Sequence, residues 1–300
     1  MKDLILGAIS NNYKLEDVRN WIHSIKKCGF EGDVVVFCYN FSDGDLSIPR
    51  YLQSLGAACI LPNTDNYGRL VTRFETHSGN TTKDNYNILV HNIRFFHFWQ
   101  YLNTTDVEYR RVIHTDTRDL VFQTNPSTWF EENMDMDDYG IVAPSENVLI
   151  SDEPWVTGMI HKLFGSYVND ILLKQKLALN VGSFAGSHNE VADLCINIYQ
   201  TSLSINQQSL PALGDQPAFD FLINTLFQYT STIVEPSSLY SCQCGTMIPE
   251  QFKDSQVEQT EIKISDDGVV TNYGEPFCIL HQYDRIPEFV GKVNDRYKEL

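Results

Sequence analysis

The chain opens on a pattern that few folds satisfy. Residues 3–10 form an apolar run that stops at the polar loop Ser10, Asn11, Asn12 and Tyr13. Leu15, Val18, Trp21, Ile22 and Ile25 then recur at helical spacing, and Gly29 suits the cap after them. A second apolar run covers residues 33–38. Strand, helix and strand at this spacing predict two parallel strands joined by a right-handed crossover. A short helix over 51–55 and a third strand over 57–61 extend the pattern. Open α/β sheets bind ligands in the crevice beyond the carboxyl ends of their strands.

That rule directs attention to residues 110–122. A short run, Arg111, Val112 and Ile113, stops at polar residues, and Asp116 and Asp119 follow. A second apolar run, Leu120, Val121 and Phe122, comes next, and Pro126 closes the segment. The pattern predicts a buried strand whose carboxyl end presents acids to a crevice. A hard divalent cation takes oxygen ligands, and a strand end fixes their geometry. A plain Asp-rich turn is the alternative. Upstream, residues 63–85 read as a long polar loop, and 88–102 as a helix rich in Phe, Trp and Tyr. Arg94 sits inside that helix, where a guanidinium must find an anion or reach solvent.

Further along, residues 139–143 read as a strand, 146–155 as a loop and 156–164 as a helix. Residues 177–186 read as one strand with small residues at its centre, Asn180 and Gly182 among them. Ser187 and Glu190 match a capping box. Asp215 and Gln216 stand at the start of another helix, with Asp215 read as its cap. Residues 260–264 and 269–270 read as a hairpin. A last strand, 277–280, ends at His281.

Charge narrows the partners. With 22 basic and 39 acidic residues, the formal net charge is -17, which repels nucleic acid and anionic membrane. A phosphorylated ligand would need a metal ion and local arginines to reverse the field at its site. The seven cysteines are scattered and odd in number, so no disulfide framework is implied. No apolar run approaches a membrane-spanning length of ~20 residues, and residues 4–9 are too short for a signal-peptide core. A soluble, cytoplasmic protein is the expectation.

Four features stand in order: the acids Asp116 and Asp119, the Asn180–Gly182 turn, Asp215 with Gln216, and His281. Together they resemble the nucleotide-sugar glycosyltransferases of the GT-A fold, in the layout of the glycogenin and lipopolysaccharide galactosyltransferase type. The resemblance implies an α/β fold with a mixed, mostly parallel central sheet flanked by helices. It implies one domain over 1–300, with 1–125 as the nucleotide-sugar half and 126–300 as the acceptor side. It implies a hexosyl- or pentosyltransferase that takes a UDP- or GDP-sugar and a glycan acceptor. Mn²⁺ or Mg²⁺ would be held by Asp116, Asp119 and His281. Ser10, Asn11, Tyr13, Arg94, Arg118, Asn180 and Gly182 would contact the donor, with Tyr13 on the base. Asp215 and Gln216 would work at the transferred sugar.

One departure stands out. The family has a D-x-D motif, and here Arg118 occupies the second acid's place, giving D-x-R-D. Strand alternation would put Asp119 on the face opposite Asp116 unless the chain turns there. Two alternatives remain open: a non-catalytic nucleotide- or carbohydrate-binding protein, or a metal-dependent nucleotidyltransferase.

Overall fold

A computed structural model describes residues 1–41, 45–62, 90–134, 140–203 and 214–300. The loop expected over 63–85 lies outside the described residues.

The main sheet begins as expected. β1 (Lys2–Ser10), α1 (Leu15–Lys27) and β2 (Asp33–Tyr39) form the crossover unit, and β1 and β2 pair in parallel. α2 (Ser47–Ser54) leads to β3 (Ala58–Ile60), parallel to β2. α3 (Val90–Thr104) runs into β4 (Tyr109–His114), which pairs in parallel with the other side of β1. The chain then leaves this sheet through β5 (Leu120–Phe122) and α4 (Pro126–Asn133), and returns in β6 (Ile141–Leu149). α5 (Pro154–Tyr167) follows, then β7 (Leu177–Leu179), β8 (Ala185–Gly186) and α6 (His188–Leu203). α7 (Asp215–Asn224) precedes β9 (Ser231–Val234).

The strand order is β3-β2-β1-β4-β8-β6-β7, with β9 also on β6. The first four strands are mutually parallel. β8 runs antiparallel between β4 and β6, and β9 is parallel to β6. The remaining elements are β10 (Ser241–Gln243), α8 (Cys244–Met247), β11 (Ile262–Ile264), β12 (Val270–Asn272), β13 (Glu275–Pro276), β14 (Ile279–His281) and α9 (Pro287–Tyr297). β10, β14 and β5 make a second small sheet, and β11 to β13 a third.

Period-two alternation in β1 divides the core. Leu4 and Leu6 face a layer with Phe95, Phe98, Phe184 and Phe219. Ile5 and Ile9 face the opposite layer with Trp21, Ile22 and Leu120. Each fully buried aliphatic chain here contributes about 1.5–3 kcal/mol, and residues 4–9 of β1 are apolar and buried throughout.

Three readings change. β6 is longer than expected, so residues 146–149 are strand and not loop. Residues 177–186 are not one strand. They break into β7, a tight turn at Val181–Ser183 and β8, because the Asn180 side chain accepts from the Gly182 N–H at 2.8 Å and ends the ladder. The cap of α7 is Gly214, and Asp215 is its first helical residue. The Ser187–Glu190 cap is present, with the Glu190 N–H donating to Ser187 Oγ at 3.4 Å.

Candidate functional site

The acid segment is the crossing between two sheets. β4 ends at His114 in the main sheet, and β5 begins at Leu120 in the second, where Leu120 sits opposite His281. The crossing is pinned to β1 and α1: Thr117 Oγ1 donates to the Ala8 carbonyl at 2.8 Å, and Trp21 Nε1 of α1 to Thr115 Oγ1 at 2.9 Å. Because the chain turns here, the two acids do not diverge. Asp116 Oδ2 lies 3.5 Å and Asp119 Oδ1 3.6 Å from His281 Nε2. One ligand atom from each of the three lies within 4.8 Å of the others. Asp119 therefore lies on the same side as Asp116, next to His281.

His281 is fixed for this task. Gln243, on the neighbouring strand β10, accepts from His281 Nδ1 at 2.8 Å. The amide's orientation follows from its other end, where Gln243 Nε2 donates to Ser183 Oγ at 3.0 Å and Ser241 Oγ at 2.8 Å. With Nδ1 occupied, Nε2 carries the outward lone pair in the neutral ring. That atom is buried, makes no hydrogen bond among the described residues and faces the Asp116 and Asp119 carboxylates. Burial alone would lower the His281 pKa, but the two carboxylates outweigh it and raise it to about 9. Two carboxylate oxygens and one imidazole nitrogen suit a hard-to-borderline divalent ion such as Mn²⁺. Nε2, facing two acids at ion-pair distance, is the local sign that a cation fits here, the ion taking the place of the ring's proton.

Gly182 packs against this centre. Its carbonyl accepts from the Asp116 N–H at 2.8 Å. A Cβ there would lie 2.5 Å from His281 Cε1 and 2.7 Å from Asp116 Oδ2, so the position has no room for a side chain.

Arg94, buried in α3, is a bridge. Nη1 lies 2.5 Å from Asp116 Oδ1 and Nη2 3.1 Å from Asp215 Oδ2. Asp116 is held well below the usual carboxylate range: burial opposes this, but Arg94 and His281 prevail. Asp215 also accepts from the Gln216 N–H at 2.9 Å. Gln216 itself is tied at both ends, accepting from the Val181 N–H at 3.0 Å and donating to the Leu179 carbonyl at 2.6 Å and to Asp220 at 2.8 Å. It holds the Asn180 turn in place.

These groups line one cavity of about 840 Å³, within the range that takes a nucleotide-sized ligand. Ser10, Tyr13, Arg94, Arg118, Asn180 and Gly182 all line it. Asn11 is exposed and does not, whereas Asn12 does. Arg118 is half-exposed at the rim, 3.2 Å from Asp284 and 3.7 Å from Asp119. Burial raises the Tyr13 pKa, and the negative charge of Asp116 adds to it.

Several lining or supporting residues were not singled out by the sequence, Asn12, Glu146, Gln243, Gln282 and Arg285 among them. Glu146 falls in the stretch read as a loop, whereas it lies within β6. Gln243 carries no local signal, since its partner is 38 positions away.

No family model and no curated protein matches this chain. Among solved structures, the apo form of mouse xyloside xylosyltransferase 1 is similar, with a TM-score of 0.54 and 14% identity, over 93% of this chain and 97% of that one. At that identity the likeness shows the fold. The chain has the GT-A, Rossmann-like α/β architecture expected from its sequence. No helix among the described residues is long and apolar enough to cross a membrane.

Proposed function

We propose that this protein is a glycosyltransferase that moves a hexosyl or pentosyl group from a UDP- or GDP-sugar to a hydroxyl acceptor. The observation that carries this reading is the convergence of Asp116, Asp119 and Nε2 of His281 on the wall of a nucleotide-sized cavity. The fold it shares with a xylosyltransferase supports it.

Asp116, Asp119 and His281 would hold Mn²⁺ or Mg²⁺. Such an ion, when bound, offsets the charge that grows on the leaving diphosphate. The chain's own groups do the rest. Arg94 fixes the Asp116 carboxylate and couples it to Asp215, so both acids keep one orientation. Arg118 at the rim is free to exchange Asp284 for a phosphate oxygen. Tyr13 offers a ring to the base, beside Ser10 and Asn12. Asp215 and Asn180 flank the position of the transferred sugar, and Gln216 orients the turn that carries Asn180.

The motive for a non-catalytic binding protein was Arg118 at an acid's position, and Asp119 supplies that acid. Incubation with UDP- and GDP-sugars and Mn²⁺ is expected to release free sugar slowly, and Asp116→Asn to abolish this. Nucleoside diphosphates with Mn²⁺ should raise the melting temperature. No response to any nucleotide refutes the proposal. Release of pyrophosphate or inorganic phosphate in place of a nucleoside diphosphate refutes it in favour of a nucleotidyltransferase or phosphohydrolase.

A further inference from the structure

The cavity has side chains that the reading above leaves unused. Gln282 directly follows His281. Its backbone is left-handed, with φ 59°, a conformation that costs a residue with a side chain. The same residue is 8% exposed, and its Oε1 has no hydrogen-bond partner among the described residues. Its own N–H is committed to the Asp119 carbonyl at 2.7 Å, which holds the strained turn against the acid segment. Two unfavourable features in one buried residue of a cavity wall are poorly explained by packing.

Glu146 is the second. It is 7% exposed on β6 and accepts from Asn180 Nδ2 at 2.8 Å. Among the described residues no other donor reaches its carboxyl group. A buried carboxyl group ordinarily gathers several donors. Arg285 also lines the cavity, and it converges with Gln282 over Gly245, where a methyl group would overlap both side chains. Trp155 lines the same cavity yet is 45% exposed, so part of its indole is open.

Two groups short of donors, a guanidinium and an open indole suit one kind of ligand. A sugar ring brings several hydroxyl donors, a few acceptors and an apolar face. A peptide brings fewer hydroxyls and spaces them along its backbone. We propose that Glu146, Gln282 and Arg285, with Trp155 at the rim, form a glycan subsite next to the acid–histidine centre, and that the acceptor is a neutral sugar held there by its hydroxyls. Among the described residues no hydrogen bond locks the Gln282 amide, so a turn of the side chain presents its oxygen or its N–H to the ligand. That this ligand is the acceptor rests on the transferase reading; the subsite itself does not.

Melting temperatures of the wild type, Gln282→Gly, Glu146→Gln and Trp155→Ala test this, each with glucose, galactose, xylose, lactose and maltose, and with Ser- and Thr-containing peptides. UDP and GDP with Mn²⁺ are measured separately. Gln282→Gly is expected to melt higher than the wild type without ligand, since glycine accepts the left-handed backbone. It is also expected to bind saccharide about tenfold more weakly, the loss of one buried hydrogen bond. A purely structural role would not give both. Trp155→Ala and Glu146→Gln should weaken the saccharide response as well. The subsite is overturned if no saccharide stabilises the wild type, if only peptides do, or if Gln282→Gly keeps full saccharide affinity. A nucleotide response without a saccharide response overturns the subsite and leaves the transferase reading standing. A saccharide response lost in the variants, without any nucleotide response, does the reverse.

Discussion

Replacing Gly182 by alanine tests the acid–histidine centre with a single methyl group. Gly182 does not have the positive φ that only glycine adopts easily, so its backbone accepts alanine. The cost is overlap alone. The new Cβ would stand 2.5 Å from His281 Cε1 and 2.7 Å from Asp116 Oδ2. Ordinary carbon contacts are about 3.5–4.0 Å, so His281 must retreat by about 1 Å. Metal–ligand distances tolerate only about ±0.2 Å. Overpacking of this size costs about 1–3 kcal/mol, or a few degrees in melting temperature for a chain this long. Cation binding should suffer more, by about 10–100-fold or beyond, as when outer supports of a metal site are removed. Mn²⁺ titration followed by electron paramagnetic resonance reads the affinity, and circular dichroism checks the fold. Wild-type Mn²⁺ affinity in a folded Gly182→Ala protein would refute the placement of the cation between Asp116 and His281.

Gln243→Leu leaves His281 Nδ1 without its acceptor, and Mn²⁺ affinity is expected to fall about 10–100-fold by the same titration. Unchanged affinity would mean that Gln243 does not orient the ring. Arg94→Met strands the buried Asp215 carboxylate, and urea melts should show a loss of about 3–5 kcal/mol; a loss below about 1 kcal/mol contradicts the bridge. Burial pushes the Glu146 carboxyl from its ordinary 4.5 up to about 7. The folded protein then binds that proton more tightly than the unfolded chain, so this residue's contribution to stability falls as pH rises from 4.5 to about 7. Glu146→Gln keeps an acceptor for Asn180 and removes the titration. Its stability relative to wild type should grow across that window by up to about 3 kcal/mol and then level off. A difference that does not change with pH contradicts a buried titrating Glu146.

What the sequence revealed follows from where the physics is local. β1, α1, β2 and β4 were legible because buried strands and an amphipathic helix write their burial into residue spacing. Asp116 was legible as the end of such a strand. Asp119 was named beside it, but its direction was not legible, because that depends on the chain leaving one sheet for another at residues 115–119, where β5 pairs with β14 of the second sheet. β6 was cut short for the opposite reason. Its polar residues looked like a loop, yet Ser145 and Asn147 are buried and satisfied by bonds within the strand and to Glu258. The Arg94 bridge joins residues 22 and 121 positions apart, and no window of sequence contains both partners.

The most direct test is anomalous diffraction from crystals soaked with Mn²⁺ and UDP or GDP, at the manganese edge. A single strong peak about 2.0–2.4 Å from an Asp116 oxygen, an Asp119 oxygen and His281 Nε2, with diphosphate oxygens beside it, is expected. A peak elsewhere, or nucleotide bound in the cavity with no metal at these three residues, would contradict the proposed chemistry.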